Sequence, residues 1–269
     1  MMLTDRDPAE KREAFREAID SGRLLRFPGS FSPLVSVLIQ QIGFEGVYVS
    51  GSVLSADLGL PDVGLTTLTE VAERGGLIAR GTDLPAIIDV DTGFGEPINA
   101  ARTVRTLEEE GLCGMHLEDQ ESPKRCGHLD EKRLVSTQQM QEKIEAAVRA
   151  RSDENFLLIA RTDARAVEGM DAAIDRARAY VEAGAEMIFP EAMADEEEFA
   201  EFRTAIDVPL LANMTEFGKS QLLNAHKLEA LGYSIVIYPV TTLRLAMKAV
   251  EEGLHTIDDR GEQIPLLER

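Results

Sequence analysis

Two aspartates, Asp89 and Asp91, close the apolar run Ala86-Ile87-Ile88-Asp89-Val90. Residues two apart on an extended strand point the same way. Two carboxylates aimed at one point suit Mg²⁺ or Mn²⁺, which take oxygen ligands and keep several waters. Glu118, after the next apolar run Gly114-Met115-His116-Leu117, can add a third carboxylate, directly or through water. The competing explanation is that Asp91-Thr92-Gly93 is turn chemistry alone. Zinc is disfavoured, because no Cys/His cluster has suitable spacing.

A second signal lies in Gln120-Glu121-Ser122-Pro123-Lys124-Arg125-Cys126-Gly127-His128. Lys124, Arg125 and His128 surround the Cys126 thiol with positive charge, which favours thiolate and lowers its pKa. Such a cysteine can serve as nucleophile or tuned general acid, or it can be an inert loop residue. Cys113, just before an apolar run, reads as a small buried hydrophobe. Arg161 follows the apolar run from Phe156 and suits bidentate binding of a carboxylate or phosphate, or pairing with a site carboxylate. Glu191, Asn213 and Thr215 follow later apolar runs and offer further hydrogen-bonding groups. His226 and His255 lie in helical stretches and are expected to do no chemistry.

These residues need a frame that brings strand ends together. After an acidic amphipathic stretch reaching Ser21, short apolar runs alternate with helical patterns. The runs are 24–27, 46–49, 86–90, 114–117, 156–160, 186–189, 208–212 and 234–238. The helical patterns cover 34–42, 67–79, 99–110, 137–150, 170–183, 196–205, 220–231 and 242–252, with a Gly-rich loop between the second run and its helix. Eight such units predict an α/β fold: one (β/α)₈ barrel spanning 1–269 behind an N-terminal helix. An open doubly wound sheet is the alternative, but the loop SGSVLS is no GxGxxG and no Walker loop occurs. A barrel gathers its active site at the C-terminal strand ends. Polar residues follow almost every run, from Tyr48-Val49-Ser50-Gly51-Ser52 to Tyr238-Pro239, so ionisable groups converge on one rim.

Composition narrows the partners. There are 48 Asp+Glu against 28 Lys+Arg, a net charge of −20, and lysine is scarce beside arginine. That field repels nucleic acid and anionic membranes. Trp is absent and aromatics are 5%, which removes the usual stacking platforms for bases. Two cysteines make no disulfide framework. No apolar run is long enough to span a membrane, and the charged start lacks a signal core, so a cytoplasmic protein acting on a small molecule is expected.

The motifs YVSGS, LGLPD, DVDTGFG, HLEDQ, PKRCGHL, LANMTEFG and YPVTTLR, spread over roughly Arg23 to Met247, resemble the isocitrate lyase/phosphoenolpyruvate mutase superfamily, most closely its 2-methylisocitrate lyases. The resemblance implies a phosphoenolpyruvate/pyruvate-type barrel, usually a homotetramer with an exchanged C-terminal helix. It implies Mg²⁺-assisted retro-aldol cleavage of 2-methylisocitrate to pyruvate and succinate. Isocitrate cleavage, phosphonomutase or oxaloacetate-directed chemistry, and an inactive carboxylate-binding barrel are the alternatives. By the same resemblance Asp89 and Asp91 bind the metal, with Asp62 and Glu118 in support. Cys126 is the catalytic thiol, Lys124 and His128 tune its loop, and Arg161 serves both catalysis and binding. Tyr48, Ser50, Gly51, Ser52, Gly127, Glu191, Asn213, Thr215 and Arg244 complete the substrate site. Two departures stand out: the loop after the second strand is shorter with Ser52 in place of a glycine, and the C-terminal helices are expected to be short or missing.

Overall fold

The apolar runs pair as parallel strands, and side-chain caps start several of the helices between them. The computed structural model describes residues 6–267. In chain order the elements are α1 (Pro8–Asp20), β1 (Leu25–Pro28), α2 (Pro33–Ile42), β2 (Val47–Val49), α3 (Gly51–Asp57), α4 (Leu68–Ala79), β3 (Ala86–Asp89), α5 (Pro97–Glu109), β4 (Gly114–Glu118) and α6 (Thr137–Ala150). They continue with β5 (Leu157–Thr162), α7 (Ala164–Val167), α8 (Met170–Glu182), β6 (Met187–Pro190), α9 (Glu196–Ala205), β7 (Leu211–Asn213), α10 (Ala225–Ala230), β8 (Ile235–Tyr238) and α11 (Thr241–Arg260). Asp7, Thr67 and Ser136 cap α1, α4 and α6 in reciprocal capping boxes with Glu10, Glu70 and Gln139.

The strands run β2-β3-β4-β5-β6 in one ladder and β1-β8-β7 in another, all parallel. Two narrow seams join the ladders into a ring. One is the bridge between Gly29 and Tyr48, where Ser30 N donates to Tyr48 O at 2.8 Å. The other is the bridge between Ile188 and Leu210, where Ile188 N donates to Pro209 O at 3.1 Å. The result is the eight-stranded α/β barrel expected from the repeat.

Strand parity sorts the core into two shells. Val47, Val49, Ile88, Met115, Leu117, Leu158, Ile188 and Val236 face the helices, while Phe27, Tyr48, Ile87, Ile159, Phe189, Leu211 and Ile237 fill the barrel. Phe15 of α1 joins the inner shell against Phe27, with ring centres 5.5 Å apart, and so plugs the end where the strands begin. Stepping two residues along each inward row reaches Ser50, Asp89, Glu118, Arg161, Glu191 and Asn213. The same parity that builds the core therefore aims these polar side chains into the other mouth.

Three boundaries differ from the sequence reading. The Gly-rich loop after β2 is helical over Gly51–Asp57, because Val53 and Leu54 are buried and anchor a turn that the glycine and serines alone would not announce. The pattern over 220–231 is helical only over Ala225–Ala230, started by the Asn224 cap. The last helix runs on to Arg260 before ending on left-handed Gly261, and none of its residues is buried.

Candidate active site

One cavity at the C-terminal ends of the strands is lined by Tyr48, Ser50, Ser52, Asp62, Asp89, Lys124, Cys126, Gly127, His128, Arg161, Glu191, Asn213, Thr215 and Pro239. Most of the residues expected from the sequence meet here. Three sit just behind the lining. Gly51 N donates to Asp89 Oδ2 at 3.3 Å, and a Cβ there would press within 2.8 Å of that oxygen. Glu118 lies under Arg161, and Asp91 faces an adjoining pocket of about 440 Å³ between α4 and α5. Arg244 is not brought to the cavity. It is half exposed, paired with Glu216 at 3.2 Å and set over the Phe217 ring.

Arg161 is the hub. Its guanidinium lies 3.2 Å from Glu118 Oε2, 3.0 Å from Asp163 Oδ2 and 3.2 Å from Glu191 Oε2, over the face of Phe189. Asn213 Nδ2 donates to Glu191 at 3.3 Å, which leaves the amide oxygen to accept from Thr215 N at 3.1 Å. The Tyr48 hydroxyl and His116 Nε2 are 2.8 Å apart. Burial pulls the His116 pKa down to about 4, so the ring is neutral at physiological pH.

The thiol loop closes over this hub. Gln120 grips Arg125 through both its amide oxygen and nitrogen, each at 2.9 Å. Gly127 lies so close that a Cβ would meet Arg161 at 2.3 Å and Glu191 at 2.6 Å. His128 Nδ1 accepts from Lys219 N at 3.0 Å, which puts the ring proton on Nε2, 3.1 Å from Glu191 Oε1.

The cationic environment expected for Cys126 does not form. Lys124 turns away to Asp62 and Asp91, Arg125 pairs with Glu131 in solvent, and burial pushes His128 below its usual pKa, keeping it neutral. Burial therefore raises the Cys126 pKa above its ordinary 9.0, with Asp62 adding to the effect against a backbone hydrogen bond. The group is a protonated thiol at neutral pH, suited to giving a proton rather than attacking as thiolate.

The family model described as phosphoenolpyruvate phosphomutase matches residues 15–258. The chain belongs to the phosphoenolpyruvate mutase/isocitrate lyase superfamily. Within that superfamily it is 58% identical to a probable 2-methylisocitrate lyase of Corynebacterium glutamicum, over 97% of this chain and 85% of the relative. It is 47% identical to the 2-methylisocitrate lyase of Aeropyrum pernix, over 100% of this chain and 87% of that one. Among solved structures, a phosphonopyruvate hydrolase complexed with oxalate and Mg²⁺ superposes with a TM-score of 0.87 at 34% identity, covering 96% of this chain and 90% of the other.

The superfamily likeness raises the question of a divalent cation. Among the described residues no three His, Cys, Asp or Glu side chains form a ready cage. Two carboxylates plus waters satisfy Mg²⁺, however. Asp91 Oδ1 and Glu118 Oε1 are buried without a hydrogen-bond partner, and Lys124 Nζ sits 2.9 Å from Asp91 as an ion pair without hydrogen-bond alignment. Burial, with repulsion from Asp89, lifts the Asp91 pKa to about 6. Burial also pushes Glu118 well up, against the pull of Arg161. Asp89 stays below the ordinary range, because His116, Lys124 and Arg161 outweigh its burial. Unspent oxygens and repelling carboxylates fit a cation.

Sequence reasoning missed Lys132, and gave no individual role to His116 or Asp163 among the polar strand ends. Lys132 Nζ donates to Asp163 Oδ1 at 2.7 Å and to Gly127 O, and Asp163 also receives both forks of Arg161. Lysine scarcity was the available signal. The chain has seven lysines, and Lys11, Lys124, Lys132 and Lys143 are buried.

Proposed function

We propose that the protein is a carbon–carbon lyase that cleaves (2R,3S)-2-methylisocitrate to pyruvate and succinate by retro-aldol chemistry. The observation that carries this reading is the closed thiol loop. It sets a protonated Cys126 into the same cavity as Asp89, Arg161, Glu191 and Asn213. The likeness to 2-methylisocitrate lyases supports the choice of substrate.

Asp89 and Asp91 would hold Mg²⁺, with Asp62 and Glu118 in support through water. The bound ion supplies electrostatic stabilisation of the oxygen charge that develops as the bond breaks. Ser50, Ser52 and Tyr48 line the end next to those carboxylates, with Gly51 just behind them, and receive the pyruvate half. Arg161, Asn213 and Thr215 bind carboxylate oxygens, and Glu191 holds Arg161 and Asn213 in place. As the bond breaks, the substrate hydroxyl gives its proton to a base in the cavity and becomes the pyruvate carbonyl, the electron pair stays on the succinate half, and the Cys126 Sγ proton quenches it. Gly127 lets the loop lie on Arg161 and exclude water. Lys124 and His128 anchor the loop rather than ionise the thiol. Arg244 reaches the substrate only after leaving Glu216, so its role is at the rim.

One catalytic unit spans 1–269, and the reading takes it as a cytoplasmic homotetramer. No helix among the described residues is long and apolar enough to cross a membrane. The exposed Leu245, Met247, Val250, Leu254 and Ile257 on α11 support subunit contact.

Pyruvate release from 2-methylisocitrate with Mg²⁺, coupled to lactate dehydrogenase, tests the reading. It is run beside glyoxylate release from isocitrate. A higher kcat/KM on isocitrate would reassign the substrate, and activity surviving rigorous chelation by EDTA would remove the metal.

A further inference from the structure

We propose that Lys132 is a positioning residue that locks the Cys126 loop shut by tying the Gly127 carbonyl to Asp163, the carboxylate that aims Arg161. Its side chain is 1% exposed and that of Asp163 is 0% exposed, so neither charge has water to fall back on. An ammonium group buried this deeply is kept only where a carboxylate pairs with it. Its two acceptors come from opposite sides of the closure. Gly127 O belongs to the moving loop, one residue past the thiol, and Asp163 belongs to the fixed end of β5. Asp163 is itself pinned from behind, its N–H donating to Asp119 Oδ1 at 2.9 Å. Burial works against its charge, yet Arg161 and Lys132 hold its pKa down to about 2, so the carboxylate is ionised throughout the working range.

The consequence is a shared anchor. When the loop closes, Lys132 takes one oxygen of Asp163 while Arg161 takes both in a fork. Loop position and guanidinium position are set by the same carboxylate. The cavity under the closed loop is about 60 Å³, room for a few waters and too little for a seven-carbon tricarboxylate, so the loop must open and reclose in each turnover. Lys132 and Gly127 lie five residues apart in the connection between β4 and α6, so the pairing with Asp163 is the tie that opening must break. The role deepens the lyase reading and rests on it only for the catalytic half of the test.

The test uses the two cysteines. Cys113 is fully buried, so iodoacetamide labelling of the folded protein reads Cys126 alone, and peptide mass spectrometry confirms the site. In Lys132→Met, labelling at pH 8 is expected to speed up about tenfold or more. kcat for pyruvate release should fall about 10²-fold, the usual loss for an ångström-scale misplacement. Lys132→Gln keeps one donor for Gly127 O and should fall between Met and wild type on both readouts. If Met costs the fold, the Gln variant decides. Labelling at the wild-type rate in a folded variant overturns the proposal, whatever happens to turnover. Absence of pyruvate from the wild type, with the labelling contrast intact, would instead count against the substrate reading.

Discussion

The two ends of the barrel both bury cations, and they use them in opposite ways. At the end where strands begin, α1 lays Lys11 on Ala79 O and Thr82 O, and Arg12 on Leu112 O, Glu108 O and Asp153. Arg16 reaches Asn155 O, Phe156 O and Glu186. These groups meet backbone carbonyls that the loops would otherwise leave unpaired, and among the described residues no buried side-chain atom there lacks a partner. At the other end, Lys124 and Arg161 face crowded carboxylates, Asp91 Oδ1 has Lys124 as an ion-pair partner alone, and Glu118 Oε1 has no hydrogen-bond partner. The first arrangement is complete in itself and serves the fold. The second is incomplete without something else, and an incomplete set of buried charges marks a site.

The comparison can be broken by mutation at either end. The largest effect is expected at the mouth, where Cys126→Ala should lower turnover by about 10²–10⁴ and leave thermal unfolding almost unchanged. Turnover near the wild-type value would remove the thiol from the reaction. At the closed end, Arg12→Ala should cost about 3 kcal/mol in denaturant unfolding, since it strands Asp153 and two carbonyls, while kcat per folded molecule stays constant. A kcat that falls with stability would blur the division between the ends.

A smaller effect of opposite sign is expected from Asp91→Asn. It relieves repulsion with Asp89, and asparagine tolerates the left-handed backbone there, with φ at 48°. The metal-free protein should gain about 1 kcal/mol while Mg²⁺-dependent activity is lost. A destabilised variant would mean that this carboxylate also serves the fold. The subtlest test is the pH dependence of Cys126 labelling. A thiol raised above 9.0 stays protonated through neutrality, so its rate should climb with pH past 9. A plateau below pH 8 would restore the low-pKa thiolate first expected from Lys124, Arg125 and His128.

Much of this was legible because parallel strands buried on both faces read as continuous apolar runs. Asp89, Glu118, Arg161, Glu191 and Asn213 then fall at strand ends by arithmetic. The failures share a cause. Whether Lys124 faces Cys126 or Asp91 depends on how a loop folds back, and spacing carries no record of that. Lys132 and Asp163 are 31 residues apart and meet only because the loop folds back onto the end of β5. Helix α3 was hidden because its anchors, Val53 and Leu54, follow a Ser-Gly-Ser start that reads as loop.

The two ladders divide the mouth unevenly. β2 to β6 carry Ser50, Asp89, Glu118, Arg161 and Glu191 on one unbroken hydrogen-bonded wall, while Asn213, Thr215 and Pro239 stand on the small ladder built from the two ends of the chain. Each seam between them is a single bridge. The mouth is thus a vice with one fixed jaw and one light jaw. A small rotation at the seams changes the gap across the mouth and leaves every spacing within the carboxylate-bearing wall as it was.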